Sequence, residues 1–353
     1  MRILYCALKH DYGIPSQGFS YEHENFYSTL LRMPGTELEY FPFDEVLQAV
    51  GRRRLNLQLL DAVQRVRPDL CFFALFTDEI TQETIRKITR EGRTITFNWF
   101  ADDHWRFGFY SKYWAPLFHW VSTTDSDAAE KYLSIGYETV IKTQWASNSE
   151  MLCEPTGEHL KYDVTFVGQP HSDRRKIITQ LKRLGVSIEC WGKGWPNGRV
   201  SQQQMMKIYR ESKISLNFAG SSPSLGWEPI AKIFLTRRSN NQLRLNRPRE
   251  MIGQLKALAG PRHPQIKARV FEIPGAGGFL LTSQADGLTD YYVPGREIAV
   301  FDGPDDLVEK VQYYLSHDQE REAMRRAGYL RTQREHTYEK RFKDIFRTMG
   351  LPN

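Results

Sequence analysis

Cysteine is scarce and scattered in this 353-residue chain: Cys6, Cys71, Cys153 and Cys190 are the only four, with no C-x-x-C pair. That excludes a disulfide scaffold, and the nine histidines never fall beside them at ligand spacing, so no metal site is assigned. Cys6 and Cys71 lie inside apolar, strand-like runs, which reads as buried thiols in a reducing cytoplasm. Long apolar runs are missing too. The densest, residues 70–76, is strand length and far short of the roughly 20 residues of a membrane span. The opening MRILYCALKHDYG has a short apolar run, but Lys9, His10 and Asp11 end it and no A-x-A-like cleavage site appears there, so it reads as a first strand. Charge of one sign is thin: 48 basic against 42 acidic residues leave +6. Against 353 residues that surplus is small, which argues against a nucleic-acid partner despite a pI near 9.0 and 13% aromatic residues.

What is present is alternation. Buried strands are expected at residues 2–8, 38–43, 70–76, 94–100, 120–123 and 138–143, with helices at 21–31, 55–66, 81–89 and 126–133 between them. In the helix 21–31, Phe26, Leu30 and Leu31 mark the inward face. Residues 147–161, with Pro155 and Gly157, read as a linker. The pattern then repeats, with strands at 162–167, 186–191, 214–218, 278–282 and 298–301, helices at 173–184 and 201–212, and helix from 305 nearly to the end. This is an α/β chain of two doubly wound, Rossmann-like domains with a helical tail: residues 1–150, residues 151–335, and 336–353. Residues 220–264 break the alternation as an insertion in the second domain, rich in Arg and Lys, with a helix around 249–258. Weak membrane association through this basic insertion stays open as an alternative, with no amphipathic pattern in the sequence to support it.

Open parallel sheets bind ligands at the carboxyl ends of their strands. Asp102 and Asp103 follow the strand 94–100 at that end and are candidates for a general base; His10, after the first strand, is another. Glu22 and Asn25 begin the next helix beside the Gly13–Gly18 loop. In the second half, Gly168 ends strand 162–167 and Arg174 opens the following helix. Near residue 270, Lys267 and Arg269 at a helix start suit a diphosphate, and Glu272 one turn on can accept both hydroxyls of a ribose. Gly275, Gly277 and Gly278 would let the backbone approach a ligand closely. Trp191 and Trp195 bracket a glycine-rich loop that either stacks a base or packs as a turn.

These residues resemble the CgeB-like glycosyltransferases of GT-B fold. The similarity rests on YDVTFVG (162–168), SKISLN (212–217), RVFE (269–272) with its Gly-rich turn, and EHTY (335–338) with Arg341; WFADD (99–103) followed by WRF (105–107) is similar to the family's acidic block. The resemblance implies two Rossmann-like domains facing across a cleft, an acceptor on the first and a nucleotide sugar on the second, and a last helix that crosses back to the first. It implies a nucleoside diphosphate sugar as donor substrate, no tightly bound cofactor, and a carbohydrate, protein or small-molecule acceptor. Glu272 falls at the second glutamate of the two-glutamate motif of related retaining enzymes, whereas Pro264 stands where the first would be. A nucleotide-sugar epimerase and a non-catalytic sugar-recognising protein share this architecture and remain alternatives.

Overall fold

The computed structural model describes residues 1–156, 160–171, 173–220, 227–260 and 263–352. Gly157 of the expected linker and residues 221–226 and 261–262 of the insertion lie outside the described residues. The chain divides into two compact units: Met1–Gln144 with Gly226–Pro261 and Phe342–Asn353, and Trp145–Leu225 with Arg262–Arg341.

The first unit is built on a six-stranded parallel sheet of β1 (Arg2–Ala7), β2 (Glu37–Pro42), β3 (Leu70–Phe73), β4 (Ile95–Phe100), β5 (Trp120–Thr123) and β6 (Val140–Lys142). Their order is β2-β1-β3-β4-β5-β6. β3 is apolar on both faces and wholly buried, and β1 is buried from Ile3 to Ala7, with Arg2 exposed at its start, as a parallel strand covered on both sides must be. Chain order reverses between β1 and β3, so the carboxyl ends of those strands form the crevice where such sheets take ligands.

In chain order the remaining strands are β7 (Tyr162–Val167), β8 (Ile188–Trp191), β9 (Ser212–Asn217), β10 (Leu235–Arg237), β11 (Leu243–Leu245), β12 (Leu280–Ser283) and β13 (Ala299–Phe301). β7, β8, β9, β12 and β13 form the second unit's five-stranded parallel sheet, in the order β13-β12-β9-β7-β8. Here the reversal falls between β7 and β9.

The insertion is ordered differently from expectation. It forms a helix (Trp227–Phe234), the antiparallel hairpin β10–β11 and a second helix (Pro248–Ala259), and it belongs with the first unit rather than with the C-terminal domain. The physical reason is an ion-pair anchor. Arg238 grips Asp78 through two hydrogen bonds of 2.8 and 2.9 Å, and the Ser239 amide donates to Glu79 at 3.0 Å. Residues from Phe342 on also group with the first unit, where the Phe342 ring lies against Phe26, Phe72 and Trp99.

Two helices differ in detail. The helix after the first loop buries Phe26 and Leu30, but Leu31 is 56% exposed, because it stands one residue, about 100°, around the helix from Leu30 and off the inward face. The helix expected at 55–66 begins at Phe43 and is interrupted at Gly51.

Candidate active site

In the first unit the crevice holds an aspartate–histidine pair. Asp44, first-turn residue of the helix after β2, is fully buried. It accepts hydrogen bonds from the Lys9 amide at 2.8 Å and the His10 amide at 3.0 Å, and it lies 3.1 Å from His10 Nδ1. An ionised carboxylate only accepts, so Nδ1 carries a proton, and in the neutral ring Nε2 is the nitrogen with the lone pair. That nitrogen lies 4.0 Å from Glu45, whose carboxylate is 2.9 Å from Lys9 Nζ. The Phe19 ring stacks on the imidazole with centroids 6.1 Å apart. The loop is pinned where it leaves β1, since both the Ser20 and Tyr40 hydroxyls donate to the Leu8 carbonyl. Behind it, His23 stacks on Phe19, and burial, reinforced by Lys9 and His10, keeps His23 below the ordinary histidine pKa.

Carboxylates converge on the same crevice. Burial raises the pKa of Glu22, and the charges of Asp11 and Asp102 push it the same way. Asp102 is half-buried before the short helix Asp103–Arg106. Asp103 points elsewhere. It is 1% exposed and accepts from the Tyr132 hydroxyl at 2.8 Å, and burial raises its pKa. Enclosed this way, Asp103 ties β4 to the helix Ala128–Leu133 and offers no free carboxylate to a substrate.

The same unit carries a pocket of about 350 Å³ whose lining includes Arg52, Asp78, Arg86, Tyr113, Arg244 and Arg249. Asp78 serves three guanidiniums, those of Arg238, Arg244 and Arg52, and despite its burial they hold its carboxyl below the usual range. Arg249 lies over the Tyr113 ring at 4.4 Å. Arg86 forms no ion pair among the described residues.

In the second unit, Arg174 opens the helix Arg174–Arg183 and spans the topological reversal. Its guanidinium donates to Gln169 O, beyond β7, and to Phe218 O, beyond β9, both at 3.2 Å. Burial holds its pKa below the usual guanidinium value, and the charge of Arg269 lowers it further. Arg269 starts the helix Arg269–Gly275 and reaches Glu272 at 3.6 Å; Glu272 is 2% exposed. The buried Tyr209 hydroxyl also faces Arg269 and Glu272. Thus Arg174 shares one electrostatic neighbourhood with Arg269, some 95 residues later in the chain, which pairs with Glu272 one turn on. Lys267 lies two residues before Arg269 on the approach to that helix.

The glycines have another explanation than ligand approach. A side chain on Gly277, whose φ is +74°, would strike the Cys153 carbonyl, and one on Gly278 would press on Tyr209 O and Ile273. The Arg325 guanidinium donates to Gly277 O. The turn is therefore packed against protein. Gly168 stands at the end of β7, where its carbonyl accepts from Trp195 Nε1 at 2.9 Å, while Arg175 covers the Trp195 ring at 5.1 Å. Trp191 is core at 8% exposure, so both tryptophans build the turn.

His336 supports this site from behind. It packs against Phe271, Tyr291 and Tyr292, accepts from Arg341 at Nδ1 and donates from Nε2 to Tyr291 O at 2.8 Å. Burial lowers its pKa to about 4. Sequence reasoning missed Asp44, whose signal was its place at the carboxyl end of the strand beside β1. It also missed the arginine-rich pocket, which needs the insertion docked on the first unit.

Two parallel α/β units, each with charged residues at its own topological reversal, define the GT-B class of fold. Comparisons agree. HepE of Anabaena, solved with UDP-glucose, has TM-score 0.59 at 11% identity over 99% of each chain. A glycosyltransferase of Rickettsia africae has TM-score 0.59 at 8% identity, covering 99% of this chain and 98% of that one. Sucrose-phosphate synthase of Thermosynechococcus elongatus has 0.55 at 11%, covering 99% and 97%. Residues 174–237 and 238–347 match the family described as glycosyl transferase-like. The spore protein CgeB of Bacillus subtilis (strain 168) is 20% identical over 213 residues, 60% of this chain and 62% of that protein, so the match spans less than two thirds of that relative. The resemblance to the CgeB-like glycosyltransferases holds: the C-terminal half of this chain carries a glycosyltransferase-like domain. No helix among the described residues is long and apolar enough to cross a membrane.

Proposed function

We propose that this protein transfers a sugar from a nucleoside diphosphate sugar to a hydroxyl group of a glycan, protein or small molecule, in the cytoplasm and without a metal ion. The observation that carries the reading is Arg174 bridging the reversal of the second sheet through Gln169 O and Phe218 O, near enough to feel the charge of Arg269, which itself lies beside Glu272. Two guanidiniums held close repel each other, and a dianion between them relieves that repulsion. They bind the donor diphosphate with help from Lys267, and Glu272 takes the ribose hydroxyls. As the bond from the sugar's anomeric carbon to the diphosphate breaks, the leaving oxygen gains negative charge, which the same arginines stabilise. Neighbours sharing the fold were solved with UDP or UDP-glucose, so uridine donors are the first to test.

The first unit supplies the base. His10 Nε2 takes the acceptor's hydroxyl proton as the new carbon–oxygen bond forms, and Asp44 orients the ring and stabilises the imidazolium. This supports direct displacement with inversion. Asp102 and Glu22 line the same crevice as acceptor contacts. The arginine-rich pocket supports an acceptor that carries a negative charge.

Pro264, in place of a donor-sugar carboxylate, favours a second reading: a protein that binds nucleotide sugars without turning them over. Incubation with UDP-sugars and an acceptor panel separates the two. Acceptor-dependent release of UDP that His10→Gln abolishes supports transfer; tight donor binding with no release under any acceptor supports the second reading.

A further inference from the structure

The whole chain's net charge of +6 sits in one segment. Residues 230–258 hold seven basic residues and one acidic residue, Glu250, so the remainder of the chain is neutral overall. The same segment, less than a tenth of the chain, contributes eight of the nineteen exposed large apolar side chains among the described residues.

The fold explains why they face outward. The helix Pro248–Ala259 docks through Gly253, where a side chain would strike Phe109, and through Ala257, which packs on the first unit's core. The opposite side of a 3.6-residue helix then carries Ile252 and Leu255, 55% and 52% exposed. The hairpin adds Leu245, 70% exposed and paired across from Leu235, with Leu243 opposite Arg237. Phe234, at the end of the preceding helix, extends the apolar surface. Lys232, Arg237 and Lys256 are exposed and form no ion pair among the described residues.

We propose that this face of the insertion docks the protein on an anionic lipid surface. Aliphatic side chains ringed by unpaired cations match the boundary between acyl chains and negative headgroups, and neither element alone would hold. A second copy of the chain is disfavoured, because it would press the unpaired Lys232, Arg237 and Lys256 against their own equivalents. Nucleic acid is disfavoured because the exposed apolar side chains of residues 230–258 are aliphatic apart from Phe234 and offer little to stack bases on.

The test is sedimentation with vesicles of phosphatidylcholine alone and of phosphatidylcholine with 30% phosphatidylglycerol, beside light scattering of the free protein. The protein is expected to bind the anionic vesicles at least tenfold more tightly than the neutral ones, and to release in high salt. Ile252→Ser with Leu255→Ser, and separately Lys232→Glu with Arg237→Glu, each lower binding at least tenfold. All four residues are exposed, so unchanged thermal unfolding certifies the fold. No association with anionic vesicles overturns the proposal, as does equal binding to both vesicles that ignores the substitutions. Self-association that Ile252→Ser with Leu255→Ser abolishes would identify a second copy as the occupant and overturn it as well. The readout involves no sugar transfer, so it stands or falls apart from the enzymatic reading.

Discussion

Replacing Asp44 by Asn probes the base directly. The carboxylate accepts two backbone amides and orients His10 Nδ1, all within 3.1 Å and wholly shielded from water. An amide keeps one oxygen, so at least one of those donors is left facing an NH2 group. A buried donor without a partner costs about 1–3 kcal/mol, and hydrogen bonds to a charged group are the stronger kind, so the loss should be about 2–4 kcal/mol. For a unit of this size that lowers Tm by roughly 5–12 °C. The amide also stops enforcing the Nδ1–H tautomer, and kcat should fall about a hundredfold or more with KM for the donor nearly unchanged. His10→Gln separates the two effects. Its side chain is 14% exposed and carries none of the backbone bonds, so it should abolish transfer while shifting Tm little. The assay is acceptor-dependent UDP release across pH, paired with thermal unfolding of the same preparations. A normal rate in Asp44→Asn at temperatures where it is folded, or a normal rate in His10→Gln, would refute the assignment of the base.

Three more outcomes follow from the structure. His336, pushed down to about 4 from an ordinary 6.5, takes up its proton more readily unfolded than folded, so stability falls as pH drops from about 6.5 towards 4, by about 3 kcal/mol in all; His336→Gln should flatten that slope in acid titrations of unfolding. Glu22 is the opposite case. Its raised pKa makes the ionised form costly, so Glu22→Gln should be more stable than wild type at pH 7, and the difference should vanish below the usual carboxyl range. Gly253→Ala should lift the helix Pro248–Ala259 off Phe109 and raise proteolytic cutting within residues 230–260; equal cutting of both proteins would contradict the docking contact.

The two sheets were legible in the sequence because parallel strands buried on both faces leave short apolar runs, such as Leu70–Phe73; Trp120–Thr123 and Tyr162–Val167 also fall at the expected bounds. Helix ends were less legible. Phe43–Val66 is broken at Gly51; its first part, with Phe43, Val46, Leu47 and Val50 at helical spacing, was overlooked beside the strand run that leads into it. The second unit's charged residues were found because a helix start after a strand is a local pattern. Asp44 follows a strand just as Asp102 does, but its importance comes from β2 lying beside β1, a tertiary fact. Asp103 looked equivalent to Asp102 in sequence, and one residue of helix rotation separates a buried structural carboxylate from one at the crevice. The outward apolar face of the insertion escaped notice because it is assembled from two helices and a hairpin, none of which shows the pattern alone.

The most direct measurement is titration of the protein with UDP and other nucleoside diphosphates by calorimetry, with Arg174→Ala and Glu272→Ala alongside wild type. One diphosphate should bind wild type, with affinity reduced at least tenfold in each variant, because the first loses half of the paired cations and the second the ribose acceptor. Absence of binding by every nucleoside diphosphate, or binding that both substitutions leave untouched, would contradict a donor site at the reversal of the second sheet.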